Sequence, residues 1–279
     1  MQVYRHMDIG TAKPSANQCS QLPHHLLDIA EPSQQFNAGE FVKATETLIP
    51  QIRARGRIPV VSGGTAFYIR SLLFGLPESP PGNPEARAAL REREKREGQR
   101  VLYDELCRRD PLAASRIQPN DRYRTTRALE ILNATGRSVF SFRWPSGLRT
   151  DFCFLLVGLD RERGELYKRI EARVGGMFAA GLVAEVKRLV AMGYDREDPG
   201  MRGIGYREFL DMQRGCMTLA DVREAITRNS RRYAKRQLTI FRGIPGVAWL
   251  HPDQAGEFRA RVSSFVGALA GVPAGGSAT

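Results

Sequence analysis

The stretch GRIPVVSGGTAFYIRSLL, residues 56–73, decides the fold class. Its segment 57–61 is short, rich in β-branched residues and apolar on both faces, which is typical of a buried parallel strand. A tight glycine turn follows at 62–65, and residues 66–73 have the composition of a helix. Because a helix is also predicted before the strand, the order is helix, strand, turn, helix. This order predicts a parallel α/β sheet.

The helix before the strand is predicted from the spacing of its apolar residues. Within residues 36–55, Phe41, Ala44, Leu48 and Ile52 recur at intervals of three or four. Both ends of this helix carry a local signal. Asn37 is suited to cap its start, and Gly56 is suited to end it.

A proline-rich segment then marks a change in the chain. Asn83 as N-cap and Pro84 at the first helical position begin a charged helical region that runs to Gly136. A continuous apolar strand returns at 151–159, and 163–192 is predicted to be mostly helical. We therefore expect a catalytic α/β core (1–79), an all-helical insertion (80–150), a return to the core with C-terminal helices (151–270) and a disordered tail (271–279).

The charge of the chain predicts a polyanionic partner. The sequence has 42 Lys and Arg against 30 Asp and Glu, a net charge of +12, and neutralising phosphates releases condensed counterions. The alternative is an arginine-rich composition that scatters charge over solvated faces, so the positions of the basic residues must decide. No apolar stretch is long enough to span a membrane, and four dispersed cysteines favour reduced thiols. We expect a cytoplasmic protein with no membrane contact.

The turn at 62–65 is the first candidate site. It follows the carboxyl end of a predicted buried strand and precedes a helix, a position where Gly63 and Gly64 can offer backbone N–H groups to an anion. The alternative is an ordinary tight turn in which Thr65 caps the helix.

The helix predicted over 223–242 is the second candidate, because it holds seven Lys and Arg but one Glu. Ile226, Tyr233 and Ile240 lie seven residues apart and are expected to pack on the core. A nearly acid-free basic face indicates contact with nucleic acid or pyrophosphate rather than a solvated surface, which normally interleaves acids. Its members, at spacings of 4, 3, 4 and 3, are Arg228, Arg232, Lys235, Thr239 and Arg242.

Two polar segments complete the candidates. Arg124 and Arg127 share a face near the start of a predicted helix, where they can form bidentate hydrogen bonds with phosphates or stack on bases. The alternative is that they pair with Asp121 and Glu130. The opening loop 2–14 has many hydrogen-bonding side chains and, we expect, nothing before it to pack on.

Seven segments, in order, resemble the tRNA dimethylallyltransferase (isopentenyltransferase) family. They are QVYRHMDIGTAKP (2–14), PHHLLDI (23–29), FNAGEF (36–41), GRIPVVSGGTAFYIRSLLFGL (56–76), PNDRYRTTRALEI (119–131), GIGYREF (203–209) and YAKRQLTIFR (233–242). The resemblance implies a P-loop NTPase-like parallel sheet with an all-helical insertion. It also implies Mg²⁺-dependent transfer of a dimethylallyl group from dimethylallyl diphosphate to N6 of the adenine next to the anticodon.

The resemblance also implies roles for individual residues. Thr65 matches a residue at the active site and tRNA channel, and we assign Gly63, Gly64 and Arg232 to the diphosphate. The expected contacts with the tRNA anticodon stem-loop, besides Thr65, are Gln2, Arg87, Tyr123, Arg124, Thr125, Thr126, Arg127, Arg202, Gly203, Ile204, Gly205, Tyr206, Arg207, Lys235, Arg236, Gln237, Leu238, Thr239, Ile240, Phe241 and Arg242. The Mg²⁺ ligands stay unassigned, and a monomer is expected.

The sequence departs from the family pattern at its front. The family begins with a strand, a G-x-T-x-x-G-K-[ST] phosphate loop and a second strand, and its general-base Asp lies three positions before the residue matching Gln2. No Gly-Lys-[Ser/Thr] occurs in these 279 residues. We therefore expect an N-terminally truncated chain, started at an internal Met, that is inactive as given. The alternative is a tRNA-binding remnant without catalysis.

Overall fold

In a computed structural model of the protein, residues 1–212, 215 and 217–270 are described. The chain divides into two compact units, one made of residues 1–69 with those from 152 onward, the other of residues 70–151. No helix in these ranges is long and apolar enough to cross a membrane. The predicted disordered tail, 271–279, lies outside the described residues.

Helices dominate the part of the chain that the structure describes. Two short 3-10 helices lie at Val139–Ser141 and Gly200–Arg202. The α-helices are α1 (Ala16–Gln21), α2 (Ala38–Ala54), α3 (Ala66–Phe74), α4 (Pro84–Glu97), α5 (Gln99–Arg109), α6 (Pro111–Ala114), α7 (Arg122–Thr135), α8 (Arg163–Ala179), α9 (Leu182–Ala191), α10 (Arg207–Met212), α11 (Leu219–Arg242) and α12 (Ala255–Ala270).

Two parallel strands in the first unit give the fold its α/β character. β1 (Val157–Leu159) pairs with β2 (Ala248–Leu250), and the pairing runs in register along all three residues. β1 is shorter than the strand predicted over 151–159, because only its last three residues lie in register opposite β2. Helices α8 to α11 lie between the two strands in sequence, as a parallel connection requires.

The predicted buried strand at 57–61 is wrong in this structure. The segment forms no strand, and Ile58 and Val60 are 54% and 80% exposed. A buried parallel strand needs neighbours that accept its hydrogen bonds and cover both faces. Among the described residues β1 and β2 pair only with each other, so the apolar composition of 57–61 has no strand to pair with.

The opening residues belong to the main core, because they pack against elements that follow them in the chain. Tyr4 and Met7 are buried in the same apolar cluster as Leu182, Tyr206 and Val222. A single parallel bridge joins Tyr4 to Ala30. The opening loop is thus fixed in place by burial rather than by regular secondary structure.

The helix boundaries follow local signals that the sequence carries. Asn37 accepts hydrogen bonds from the N–H groups of Gly39 and Glu40 and starts α2, and Gly56 follows its end with a φ of +68°. Both end signals are confirmed. The predicted helical region 163–192 is confirmed as well, but it is divided into α8 and α9 at residues 180–181.

The second unit is built from α4 to α7 around its own apolar cluster. Asn83 caps α4 and Pro84 is its first residue, as predicted. Leu102, Leu106 and Leu129 are fully buried at the centre of the cluster.

Candidate functional site

Helix α11 is packed along its first half and open along its second. Val222 and Ile226 are buried beneath α8 and α10. Tyr233 and Ile240, however, are 42% and 44% exposed. The prediction that all three apolar residues of this face pack on the core is therefore wrong for Tyr233 and Ile240, because α8 and α10 cover only the N-terminal half.

Positive charge without a partner concentrates in the open half of α11. Arg232, Lys235 and Arg236 are exposed, and none has an ion pair within the described ranges. Three further arginines are paired: Arg228 with Glu224, Arg231 with Glu171 and Arg242 with Asp160. A short cationic segment at residues 232–236 is thus free to meet an anion.

The glycine turn lies directly against this open half of α11. The Gln237 side-chain amide donates a 2.7 Å hydrogen bond to the Gly64 carbonyl, and the Tyr233 hydroxyl donates one of 3.2 Å to the same oxygen. A Cβ on Gly64 would lie 2.0 Å from Gln237 Nε2, so any larger residue here would displace the glutamine side chain from the turn. Thr65 follows, half-buried, at the start of α3. The structure therefore brings the predicted turn and the predicted basic helix together.

The side chain of Gln2 is engaged within the opening loop. Its amide donates hydrogen bonds of 3.2 Å to the Thr11 carbonyl and 2.9 Å to the Ala12 carbonyl. Nearby, the largely buried ammonium of Lys13 donates to the Tyr4 carbonyl and pairs with the carboxylates of Asp8, within the loop, and Asp28, outside it. The loop is consequently a preorganised element.

A buried carboxylate that we did not predict fixes the opening loop to the rest of the first unit. Glu185 on α9 is 2% exposed and accepts hydrogen bonds from the N–H groups of Asp8, Ile9 and Gly10 at 2.8–3.1 Å. It also accepts one of 2.7 Å from the Tyr206 hydroxyl. The sequence feature that could have indicated this role is an acidic residue on the apolar face of a predicted helix. An unpaired charge there would be costly, so the residue must have partners.

Tyr206 is a structural member of this cluster. Its side chain is fully buried, and a Cβ on Gly10 would lie 2.6 Å from its ring. Burial raises the pKa of Tyr206, and the charge of Glu185 raises that pKa further. The phenol therefore stays protonated and remains a donor, and its side chain has no surface with which to contact RNA as predicted.

The rest of the 202–207 segment is held by local contacts. Arg202 is half-exposed and donates to the carbonyl of Glu197 at 2.7 Å, and Arg207 donates to the Glu208 carboxylate at 3.1 Å. Ile204 packs against the main core. Gly203 and Gly205 lie between these side chains, so the segment can offer only its two arginines and backbone groups to a partner.

In the second unit the predicted contact residues separate into exposed and buried ones. Tyr123 is 61% exposed and the side chain of Arg124 is 67% exposed, both at the start of α7. Arg124 lies 3.5 Å from Asp121. Thr125 is fully buried, which contradicts its prediction as a direct contact. The helical periodicity turns it inward, towards the cluster of the unit. Thr126 is half-buried.

Arg87 and Arg127 converge on one buried carboxylate. Both guanidinium groups contact Glu130, at 2.8 and 2.9 Å, and the Asn83 N–H donates to it as well. Burial would raise the pKa of Glu130, but the hydrogen bonds from Arg87, Asn83 and Arg127 together hold it below its usual range. The ion-pairing alternative is therefore confirmed for Arg127 with Glu130 and for Arg124 with Asp121. Arg87 is paired with Glu130 as well.

A cleft at the carboxyl ends of β1 and β2 was missed by the sequence analysis. It encloses about 690 Å³ and includes four predicted residues of α11: Lys235, Leu238, Thr239 and Arg242. The unpredicted part of its lining includes Asp160, Arg161, Arg163, Tyr167, Trp249 and His251. The polar residues that directly follow the apolar strand could have indicated this cleft, since ligands of parallel sheets bind at the carboxyl ends of the strands.

Side chains that could bind a metal ion are dispersed over the described residues. Across the described residues, no group of three or more His, Cys, Asp or Glu is placed to hold a metal ion. A protein-built metal centre therefore does not fit this part of the chain.

Comparisons with known proteins agree on one family. The family model for IPP transferase matches residues 2–244. A tRNA dimethylallyltransferase of Geobacter sulfurreducens is 43% identical over 251 residues, which cover 90% of this chain and 81% of that protein.

Solved structures give the same result. The full-length tRNA isopentenylpyrophosphate transferase of Bacillus halodurans is similar with a TM-score of 0.65 and 36% identity, over 95% of this chain and 86% of that one. A eukaryotic dimethylallyltransferase studied acting on tRNA has a TM-score of 0.70 and 26% identity, over 95% of this chain and 69% of that one.

Proposed function

The chain belongs to the IPP transferase family, and from this premise we propose that it transfers a dimethylallyl group from dimethylallyl diphosphate to N6 of the adenine next to the anticodon in tRNA. The chain is thus a prenyltransferase by family. The observation that carries its RNA substrate is the set of exposed, unpaired cations at 232–236 beside the Gly64 turn. Unpaired cations on an open helix face suit a phosphate backbone.

The reaction forms a bond between N6 of the adenine and the allylic carbon while the bond from that carbon to the diphosphate oxygen breaks. The departing diphosphate takes the electron pair, and N6 loses a proton. Leaving-group charge is stabilised by preorganised donors and cations. We assign this role to the backbone of Gly63 and Gly64 and to Arg232, and the position beside the reacting groups to Thr65.

Several finer features stay predictions. Mg²⁺ would arrive coordinated by the diphosphate, since Mg²⁺ often takes few protein ligands and several substrate oxygens. The P-loop character of the core, the cytoplasmic location, the monomeric state and the inactivity of residues 1–279 by themselves also stay predictions.

A transfer assay tests the proposal. The protein is incubated with Mg²⁺, radiolabelled dimethylallyl diphosphate and either tRNA or the same tRNA with guanine replacing the adenine next to the anticodon. Label on the first RNA and none on the second, with a strong loss in Thr65→Ala, would support the proposal and would refute the predicted inactivity of residues 1–279. Equal labelling of both RNAs would contradict the adenine site. Binding of tRNA without release of diphosphate would favour the non-catalytic remnant.

A further inference from the structure

The cleft at the carboxyl ends of β1 and β2 has two cations whose charge is not neutralised. Arg163 donates to the Tyr167 hydroxyl at 3.1 Å and stacks on the same ring, and it has no carboxylate partner in the described chain. Lys235, one of the unpaired cations of α11, lines the same cleft. Arg161 and Arg242, by contrast, are paired with carboxylates.

Aromatic rings form part of the wall of the cleft. Trp249 on β2 is half-buried, and its indole lies over the backbone of Gly158, where a Cβ would meet the ring at 2.6 Å. Tyr167 is also half-buried, and the guanidinium groups of Arg163 and Arg231 lie 5.2 and 5.0 Å from the centre of its ring. A cationic groove with aromatic side chains is the common construction for binding unpaired nucleotides.

One acceptor in the cleft has no partner. Asp160 Oδ2 accepts from Arg242 at 3.0 Å, but Asp160 Oδ1 is buried and receives no hydrogen bond from the described residues. A buried acceptor without a donor is costly, and an exocyclic amine or a ribose hydroxyl could supply one. The other lining carboxylate, Glu162, is already used, because it accepts the Glu165 N–H at the start of α8.

We propose that this cleft binds an unpaired nucleotide of the RNA substrate, with its phosphate on Arg163 and Lys235, its base against the aromatic wall and a donor on Asp160. The inference rests on the proposed function for the RNA. It extends the RNA path from the exposed face of α11 to the edge of β1 and β2, because Lys235 belongs to both. RNA is favoured over a free nucleotide by the neighbouring unpaired Arg232 and Arg236, which lie outside the cleft lining and suit a continuing phosphate chain.

The test uses the emission of Trp249 in the complete chain carrying Trp144→Phe, which removes the only other tryptophan. The probes are a tRNA anticodon stem-loop, a fully paired RNA duplex of equal charge, and adenosine monophosphate. The stem-loop should quench Trp249 and the duplex should not. Arg163→Gln should weaken stem-loop binding and reduce its salt slope by about 0.7, the contribution of one single-strand phosphate. Arg259→Gln, an exposed arginine on α12, is the matched control and should change neither.

Each outcome has a separate meaning. If the stem-loop binds but Trp249 emission and the Arg163→Gln slope stay unchanged, the cleft assignment is overturned while the proposed function stands. If adenosine monophosphate quenches Trp249 and RNA does not, the cleft belongs to a free nucleotide and the RNA assignment is overturned. If no RNA binds the unsubstituted protein, both the cleft assignment and the proposed function are overturned.

Discussion

The Tyr206 hydroxyl donates a 2.7 Å hydrogen bond to Glu185 Oε1, and this bond joins two segments of the chain inside the main core. The same carboxylate accepts the N–H groups of residues 8–10. A buried carboxylate is tolerated only when its oxygens are satisfied. Glu185 therefore determines the position of the opening loop that carries Gln2.

Removing the Tyr206 hydroxyl should show how much its hydrogen bond to Glu185 stabilises the fold. Tyr206→Phe leaves one lone pair of a buried carboxylate without its donor, and we expect a loss of about 1–3 kcal/mol in the free energy of unfolding, measured by urea denaturation. Tyr123→Phe removes a hydroxyl from an exposed side chain and should change stability by less than about 0.5 kcal/mol. Equal effects of the two substitutions would show that the bond to Glu185 contributes nothing.

A methyl group at position 64 should separate the turn from α11. Gly64→Ala would place its Cβ 2.0 Å from Gln237 Nε2, so the glutamine must move and its bond to the turn is lost. We expect a clear fall in the rate of prenyl transfer. Gly267→Ala on α12, where nothing lies within 4 Å of the added Cβ, is the control for a glycine-to-alanine change away from the turn. If both variants lose activity alike, the contact with Gln237 does not matter.

The unpaired cations of α11 should set the salt dependence of tRNA binding. The double variant Arg232→Gln with Arg236→Gln should lower the slope of log affinity against log salt by about 1.5, since each phosphate contact contributes roughly 0.7 to 0.9. Filter binding at several salt concentrations measures this slope. The control double variant, Arg53→Gln with Arg259→Gln, removes two exposed charges from other helices. An unchanged slope in the α11 variant would place the RNA elsewhere.

The carboxylate of Glu130 should make the stability of the second unit depend on pH. Its pKa is lowered in the folded state, so its contribution is fully present above the unfolded pKa and is lost as pH falls through the lower folded value. Glu130→Gln should cost about 3 kcal/mol near pH 7, and the difference from the unsubstituted protein should shrink on acidification. Denaturation midpoints between pH 7 and pH 3 measure it.

The matched control for this pH effect is Glu92→Gln. Glu92 pairs with Lys95 on the exposed face of α4, and both side chains are at least 70% exposed. Solvent screens such a pair, so its loss should leave the pH profile nearly unchanged. A pH profile for Glu130→Gln that runs parallel to that of the unsubstituted protein would refute the assignment to Glu130.

Local signals in the sequence predicted the helices well. Asn37, Asn83 and Pro84 act at the positions where the sequence places them, because caps depend on a few neighbouring residues. The exposure of Tyr233 and Ile240 could not be predicted in this way. Helical spacing shows that an apolar face exists, but it does not show which elements cover that face. The strand at 57–61 failed for the same reason: apolar composition does not supply a partner.

The candidate site was predicted in part. The turn at 63–65 and the basic helix were found from their composition, and their contact through Gln237 required the structure. Glu185 and the cleft by Trp249 were missed because each joins residues far apart in the chain. Such clusters have no local spacing to detect.

The exposed segment 57–61 also has a kinetic consequence. The amides of Ile58, Val60 and Val61 have no hydrogen-bond acceptor among the described residues, so they should exchange with deuterium far faster than those of α11. The segment leads directly into the Gly64 turn. Any ligand that settles on that turn should slow this exchange, and the time course of deuterium uptake at 58–61 would then report occupancy of the site without a label.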